Sequence, residues 1–162
     1  MNLSSGICGD DVRMKNVPAD RLPRPRYGLI ADDTGSIRRL VGHVLRQHGM
    51  QVMEAFDGRD AWDKVCHILP DVIVTDLEMP RWSGVELLRQ LRGATDPLLR
   101  RVPVIVISTL HGNDLKASVH RFEDTYFLGK PISVRTLSIM LRLIETTQDL
   151  RIRQSVKRPS NP

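Results

Sequence analysis

Apolar residues in this chain fall into short unbroken runs separated by longer stretches with helical spacing. Tyr27-Gly-Leu-Ile-Ala31 is the first run, and it leads straight into Asp32-Asp33. Ile37, Leu40, Val41, Val44 and Leu45 then recur every three or four residues, the interval of a helix. Thr34 or Ser36 can cap its start, and Gly49 can end it in a left-handed turn. Gln51–Ala55 alternates polar and apolar, as a strand nearer a sheet edge would. Asp57-Gly58 reads as a turn, and Ala61, Val65, Ile68 and Leu69 as the inner stripe of a second helix. Pro70-Asp71 breaks that helix before Val72-Ile-Val-Thr75, a β-branched run that suits a strand buried on both faces.

The second half repeats the alternation. A loop from Asp76 to Gly84 precedes a helix with Val85, Leu87, Leu88 and Leu91, and Gly93–Val102 reads as a polar connection. Pro103 opens Val104-Ile-Val-Ile107, which ends in Ser108, and His111-Gly-Asn-Asp114 can start a helix carrying Leu115, Val119 and Phe122. Thr125–Leu128 is a fifth strand closed by Gly129-Lys130-Pro131. Ser133 caps a last helix with Val134, Leu137, Met140, Leu141 and Ile144 along one side. Five strands alternating with five helices on short connections predict a doubly wound α/β domain with a parallel sheet. Right-handed crossovers leave few topologies, and the flavodoxin-like order 2-1-3-4-5 is the expected one. The expected boundaries are a disordered leader over residues 1–25, one domain over 26–147, and a C-terminal tail over 148–162 that is too short for an output domain.

Charge changes this picture little. The formal net charge is +5, but residues 27–145 hold 15 basic and 15 acidic side chains. The excess lies at the ends, with five basic and three acidic residues over 1–26 and four basic and one acidic over 146–162. A neutral core with basic tails argues against a nucleic-acid footprint on the folded domain. Cys8 and Cys66 show no metal-ligand or redox spacing, which fits a reduced cytoplasmic protein. No run reaches the roughly 18 apolar residues of a membrane span.

The chemistry gathers at strand ends. The carboxyl ends of four expected strands supply Asp32-Asp33, Asp76, Ser108 and Lys130, and ligands bind on that side of an open parallel sheet. Taken singly, each residue has an ordinary reading. Paired acids after a strand cap helices, a lone Asp or a Lys-Pro sits in a turn, and one serine means little. Taken together, three carboxylates converge if the first and third strands are neighbours, and such crowding calls for a cation. Carboxylates with a carbonyl and waters suit Mg²⁺. Asp76 can then act as a nucleophile toward phosphorus, with Lys130 as the neutralising ammonium.

From about Tyr27 to Glu145 the chain resembles the receiver domain of two-component response regulators. The resemblance rests on Leu29-Ile-Ala-Asp-Asp33, on Val72-Ile-Val-Thr-Asp-Leu-Glu-Met-Pro80 followed by Gly84, on Val104-Ile-Val-Ile-Ser108, and on Lys130-Pro131. It implies that Asp76 accepts a phosphoryl group from a histidine kinase or a histidine phosphotransfer protein. Asp33 and Asp76 would bind Mg²⁺ directly, Asp32 through water and Glu78 through its backbone carbonyl. Ser108 would be the switch hydroxyl, Lys130 the phosphoryl partner and Phe127 the switch aromatic, on a face made by the fourth helix, fifth strand and fifth helix. A downstream protein target, and pairing of two copies on phosphorylation, are further expectations.

The chain departs from the pattern at several positions. Phe127 lacks the hydroxyl of the more familiar Tyr, and Tyr126 beside it alternates to the other sheet face. Thr109 stands where Ala or Gly is usual, and is expected to narrow access to Asp76. Glu78 and Leu110 hold positions that tune dephosphorylation, and Glu123-Asp-Thr-Tyr126 lacks the usual Gly-Ala pair. The expected function is a single-domain response regulator rather than an enzyme with external substrates. Alternatives are a carrier in a phosphorelay, a phosphorylation-independent scaffold, and an aspartate-nucleophile phosphohydrolase. The complete acceptor set speaks against the scaffold. The hydrolase usually needs an Asp two residues past its nucleophile, where this chain has Glu78.

Overall fold

A computed structural model describes residues 24–109, 119 and 121–156. Its strands are β1 (Tyr27–Ala31), β2 (Gln51–Ala55), β3 (Val72–Asp76), β4 (Val104–Ser108) and β5 (Thr125–Gly129). The helices among the described residues are α1 (Gly35–Gln47), α2 (Gly58–His67), α3 (Gly84–Gly93), the single turn α4 (Pro97–Arg100) and α5 (Val134–Val156). The sheet runs β2-β1-β3-β4-β5 with every neighbouring pair parallel, the order the alternation predicts.

Side-chain alternation along the strands sorts the apolar residues into two layers. Leu29, Ala31, Ile73, Val104 and Val106 face one core with Ala61 and Val65 of α2 and Leu87, Leu88 and Leu91 of α3. Ile30, Val72, Val74, Ile105 and Ile107 face the other, with Val41, Val44 and Leu45 of α1 and Leu137, Leu141 and Ile144 of α5. A strand covered on both faces has no polar side to offer, so β3 and β4 are buried throughout.

Two expectations change. The stretch 93–102 is not all loop, because Asp96 caps the Leu98 amide at 2.8 Å and Pro97 supplies a preset first helical residue, which together start α4. The expected domain boundary at 147 falls inside the last helix, which runs to Val156, so 148–156 is not tail. Two polar anchors hold the extension. Gln148 Nε2 donates to the Asp71 carbonyl at 2.9 Å, and the Arg151 guanidinium grips the Asp124 carboxylate at 2.8 and 3.1 Å. Arg24, at the end of the expected leader, reaches the same Asp71 by an ion pair at 2.5 Å. The helix expected from His111 lies outside the described residues, except that Val119 is helical and buried against the first core.

Arg92 of α3 is a fixture that composition and spacing did not suggest. Its guanidinium donates to the carbonyls of Arg100, Val102, Glu123 and Asp124 and to Thr125 Oγ1, all at 3.0 to 3.1 Å. One planar fork thereby ties the segments leading into β4 and β5 to α3. Burial lowers its pKa, and the nearby Asp124 and Glu123 charges oppose that shift. Among the described residues, no helix is long and apolar enough to cross a membrane.

Candidate functional site

The parallel register aligns Ala31 of β1 with Thr75 of β3, so the next residues, Asp32 and Asp76, emerge side by side at the carboxyl edge of the sheet. Asp32 is fully buried and Asp76 nearly so. The Thr34 amide donates to Asp32 Oδ1 at 2.7 Å, and Arg38 of α1 donates to the Asp32 carbonyl at 2.7 Å. Asp33 is exposed, and its Oδ1 accepts from Thr34 Oγ1 at 3.2 Å. One carboxylate oxygen from each of Asp32, Asp33 and Asp76 lies within 4.8 Å of the others.

Lys130 reaches this cluster from the end of β5. Its backbone amide donates to the Ser108 carbonyl at 2.9 Å, and the peptide to Pro131 is cis. Its Nζ lies 2.6 Å from Asp76 Oδ2 and 3.3 Å from Asp32 Oδ2. Burial by itself would lower the Lys130 pKa, but the hydrogen bond and charge of Asp76, then those of Asp32, outweigh it and hold the ammonium charged. Asp32 moves the other way. Burial raises its pKa, aided by the Asp76 charge, more than the Thr34 amide and Lys130 lower it. Three carboxylates facing one ammonium leave an excess of negative charge. A hard divalent cation with oxygen ligands, such as Mg²⁺, fits that donor set.

The loop after Asp76 is held from beneath by two close backbone approaches. Gly84 donates to the Leu77 carbonyl at 3.1 Å, and a Cβ there would fall 2.1 Å from the Asp76 carbonyl oxygen. Gly58 at the start of α2 donates to the Trp82 carbonyl at 2.9 Å, and a Cβ there would meet that same oxygen at 2.7 Å. Asp57, read from sequence as part of a turn, is a buried cap: it accepts from the Asp60 amide at 2.8 Å and pairs with Arg81. Arg81 has φ +61°, a left-handed conformation that a non-glycine residue adopts at some cost. The Arg59 guanidinium lies 5.2 Å from the Trp82 ring centre. The Asp57-Gly58 pair was the one signal available for this clasp, and it named a turn without showing what the turn holds.

The other expected residues fall around the same edge. Ser108 is buried at the end of β4, opposite Gly129 of β5. Phe127, opposite Val106, packs on the first core, whereas Tyr126 packs on the second. Thr109 is exposed just past β4. Glu78 has an exposed side chain, and its amide approaches Asp76 Oδ1 at 3.4 Å. Leu110 lies outside the described residues.

The family model of the response regulator receiver domain matches residues 29–142. This chain belongs to that family. Among curated relatives, the receiver is 30% identical over 128 residues to chemotaxis protein CheY1 of Helicobacter pylori, covering 75% of this chain and 98% of that protein. It is 33% identical over 124 residues to response regulator MprA of Mycolicibacterium vanbaalenii, covering 75% of this chain and 52% of that one. With the gliding motility regulatory protein of Myxococcus xanthus it shares 32% identity over 111 residues, 68% of this chain but 14% of the relative. The chain therefore spans nearly all of some relatives and a small part of others. Among solved structures, chemotaxis response regulator CheY4 of Vibrio cholerae superposes with a TM-score of 0.66 at 30% identity, covering 74% of this chain and 98% of that one. The Francisella response regulator 1452 receiver domain does so at 0.66 and 29%, covering 76% and 98%. Receiver domains bind Mg²⁺ at an acidic pocket and work with a kinase or phosphotransfer partner, and this receiver has such a pocket in Asp32, Asp33 and Asp76.

Proposed function

We propose that this receiver takes a phosphoryl group onto Asp76 from a histidine kinase or histidine phosphotransfer protein, and passes the change to a protein partner. The observation that carries the reading is the Asp76 carboxylate itself. It lies in contact with the Lys130 ammonium at 2.6 Å and shares a 4.8 Å cluster with Asp32 and Asp33. One Asp76 oxygen attacks phosphorus in line, the P–N bond of the donor phosphohistidine breaks, and its electron pair stays on the imidazole nitrogen. Lys130, held charged, pairs with a phosphoryl oxygen, so the chain supplies position and charge in place of proton transfer. Asp32, Asp33, Asp76 and the Glu78 carbonyl are the groups that would hold Mg²⁺, which supplies charge neutralisation at the phosphoryl oxygens when bound.

Ser108 at the end of β4 and Phe127 on β5 would then relay the new charge to a surface that includes β5 and α5. Multiple turnovers of a small phosphoester are not expected, because the acyl phosphate is the product that signals. The test is incorporation of acid-stable, base-labile phosphate with Mg²⁺ and a histidine kinase or a small phosphodonor. Asp76→Asn should abolish labelling and keep the fold, and labelling that persists in this variant would sink the assignment.

A further inference from the structure

The outer side of α5 carries an apolar stripe that no described part of the domain covers. Leu137, Leu141 and Ile144 turn inward and are buried. On the opposite side Ile139, Leu143 and Leu150 are 49%, 63% and 52% exposed. They recur at the three-to-four and seven-residue spacings of a helix-pairing seam, with Thr146 completing the row. Thr146 and Thr147 return their hydroxyls to the Arg142 and Leu143 carbonyls of their own helix, at 2.9 and 2.8 Å. Their hydroxyls are thereby satisfied, which leaves the threonine methyls to extend the apolar row. Arg142 and Asp149 are exposed and flank it on one side, and neither has an ion-pair partner among the described residues.

We propose that this stripe pairs with the same stripe of a second copy of the chain, the two α5 helices lying antiparallel. A twofold contact must be self-complementary: if one residue meets another, the reverse contact must hold too. One dyad between positions 144 and 145 satisfies this for the whole row. It sets Ile139 against Leu150 of the second copy and Leu143 against Thr146, and each contact occurs twice. The same dyad brings Arg142 beside Asp149 of the second copy, within about two residues of level or roughly 3 Å along the axis. A parallel pairing would place Arg142 against Thr147 and leave both charges unmatched, so charge selects the antiparallel arrangement. Three exposed aliphatic residues per copy make a small interface, suited to an association in about the micromolar to tens-of-micromolar range. The stripe exists without a phosphoryl group, so the pairing is independent of Asp76.

The test is sedimentation equilibrium of the full chain between about 5 and 500 µM, without phosphodonor or beryllofluoride. The expected result is a concentration-dependent dimer, formed equally by Asp76→Asn. Leu143→Glu should weaken it at least tenfold, and at a concentration low enough for both proteins to be monomeric its melting curve should match the parent, because Leu143 of the single chain faces solvent. Arg142→Asp should weaken the dimer, and adding Asp149→Arg should restore it, an outcome that a general loss of structure does not give. A monomer across the range overturns the proposal, as does a dimer indifferent to Leu143→Glu or one that appears only with beryllofluoride. If the chain is monomeric and pairs only after residues 1–23 are removed, the stripe belongs to the chain's own leader, and the proposal also fails.

Discussion

Gly84 offers the sharpest test of how closely backbone packing governs Asp76. It begins α3, and a Cβ there would lie 2.1 Å from the Asp76 carbonyl oxygen, 3.0 Å from its carbon and 3.2 Å from Leu77 Cα. All three atoms are backbone, so no side chain can swing away. A carbon in contact with a carbonyl oxygen normally stands about 3.4 Å off, so Gly84→Ala must open this junction by about 1.3 Å. Overpacking of that size costs about 1–3 kcal/mol, and the better helix propensity of alanine returns at most about 1 kcal/mol. A net loss of about 1.5 kcal/mol lowers Tm by about 6 °C in a domain of this length. The displaced group belongs to the proposed acceptor residue, and a shift of about 1 Å at reacting atoms can cost about a hundredfold in rate. Gly93→Ala is the control. It lies at the other end of the same helix with nothing within 4 Å of the added carbon, and it should leave labelling unchanged and stability equal or slightly higher. The assay pairs thermal melts with the initial rate of Asp76 labelling by a small phosphodonor in Mg²⁺. A Gly84→Ala protein with wild-type rate and Tm would refute the reasoning.

Other outcomes follow from the same geometry. Burial raises the Asp32 pKa, so the folded state binds that proton more tightly than the unfolded chain does. Its stability contribution is present at low pH and is lost as pH rises from the unfolded value of 3.8 through the folded one. Asp32→Asn should therefore raise Tm near neutral pH without metal and reduce the gain in Tm on adding Mg²⁺; melts with and without Mg²⁺ check this. Asp57 shifts the opposite way: burial opposes ionisation, but the Asp60 amide and Arg81 prevail and lower its pKa. Asp57→Ala should cost about 1–2 kcal/mol through the lost cap, measured by urea denaturation, with the deficit narrowing as pH falls below 3.8. Truncation after Thr147 removes the Gln148 and Arg151 anchors and should lower Tm by several degrees; an unchanged melt would return 148–156 to the tail.

Much of the architecture was legible because it is local. β-branched runs of four or five residues, each ended by a turn residue, can form little but strands, and the helical spacing between them leaves parallel crossovers as the economical solution. Asp32, Asp33, Asp76 and Lys130 were legible for a related reason. They stand at the same end of successive strands, and the order of the strands brings their ends together. The short turn after Asp96 escapes the pattern because a cap and a proline can nucleate a helix without any apolar period. The extension of α5 escapes it because its support comes from Asp71 and Asp124, residues distant in sequence.

By itself, then, the sequence determined the element types, the sheet order and the identity of the groups at its carboxyl edge, since these depend on side-chain periodicity and chain direction. The tertiary structure decided what depends on residues far apart in the chain. It set the contact between Lys130 and Asp76 and the upward shift of Asp32. It placed the buried Asp57 against Arg81, and allowed the approach to Asp76 that Gly84 alone permits. Among the described residues it also left the outer face of α5 uncovered. The spacing of Ile139, Leu143 and Leu150 lies in the sequence; only the folded arrangement shows that the described domain buries the Leu137, Leu141 and Ile144 side of α5 and leaves this one exposed.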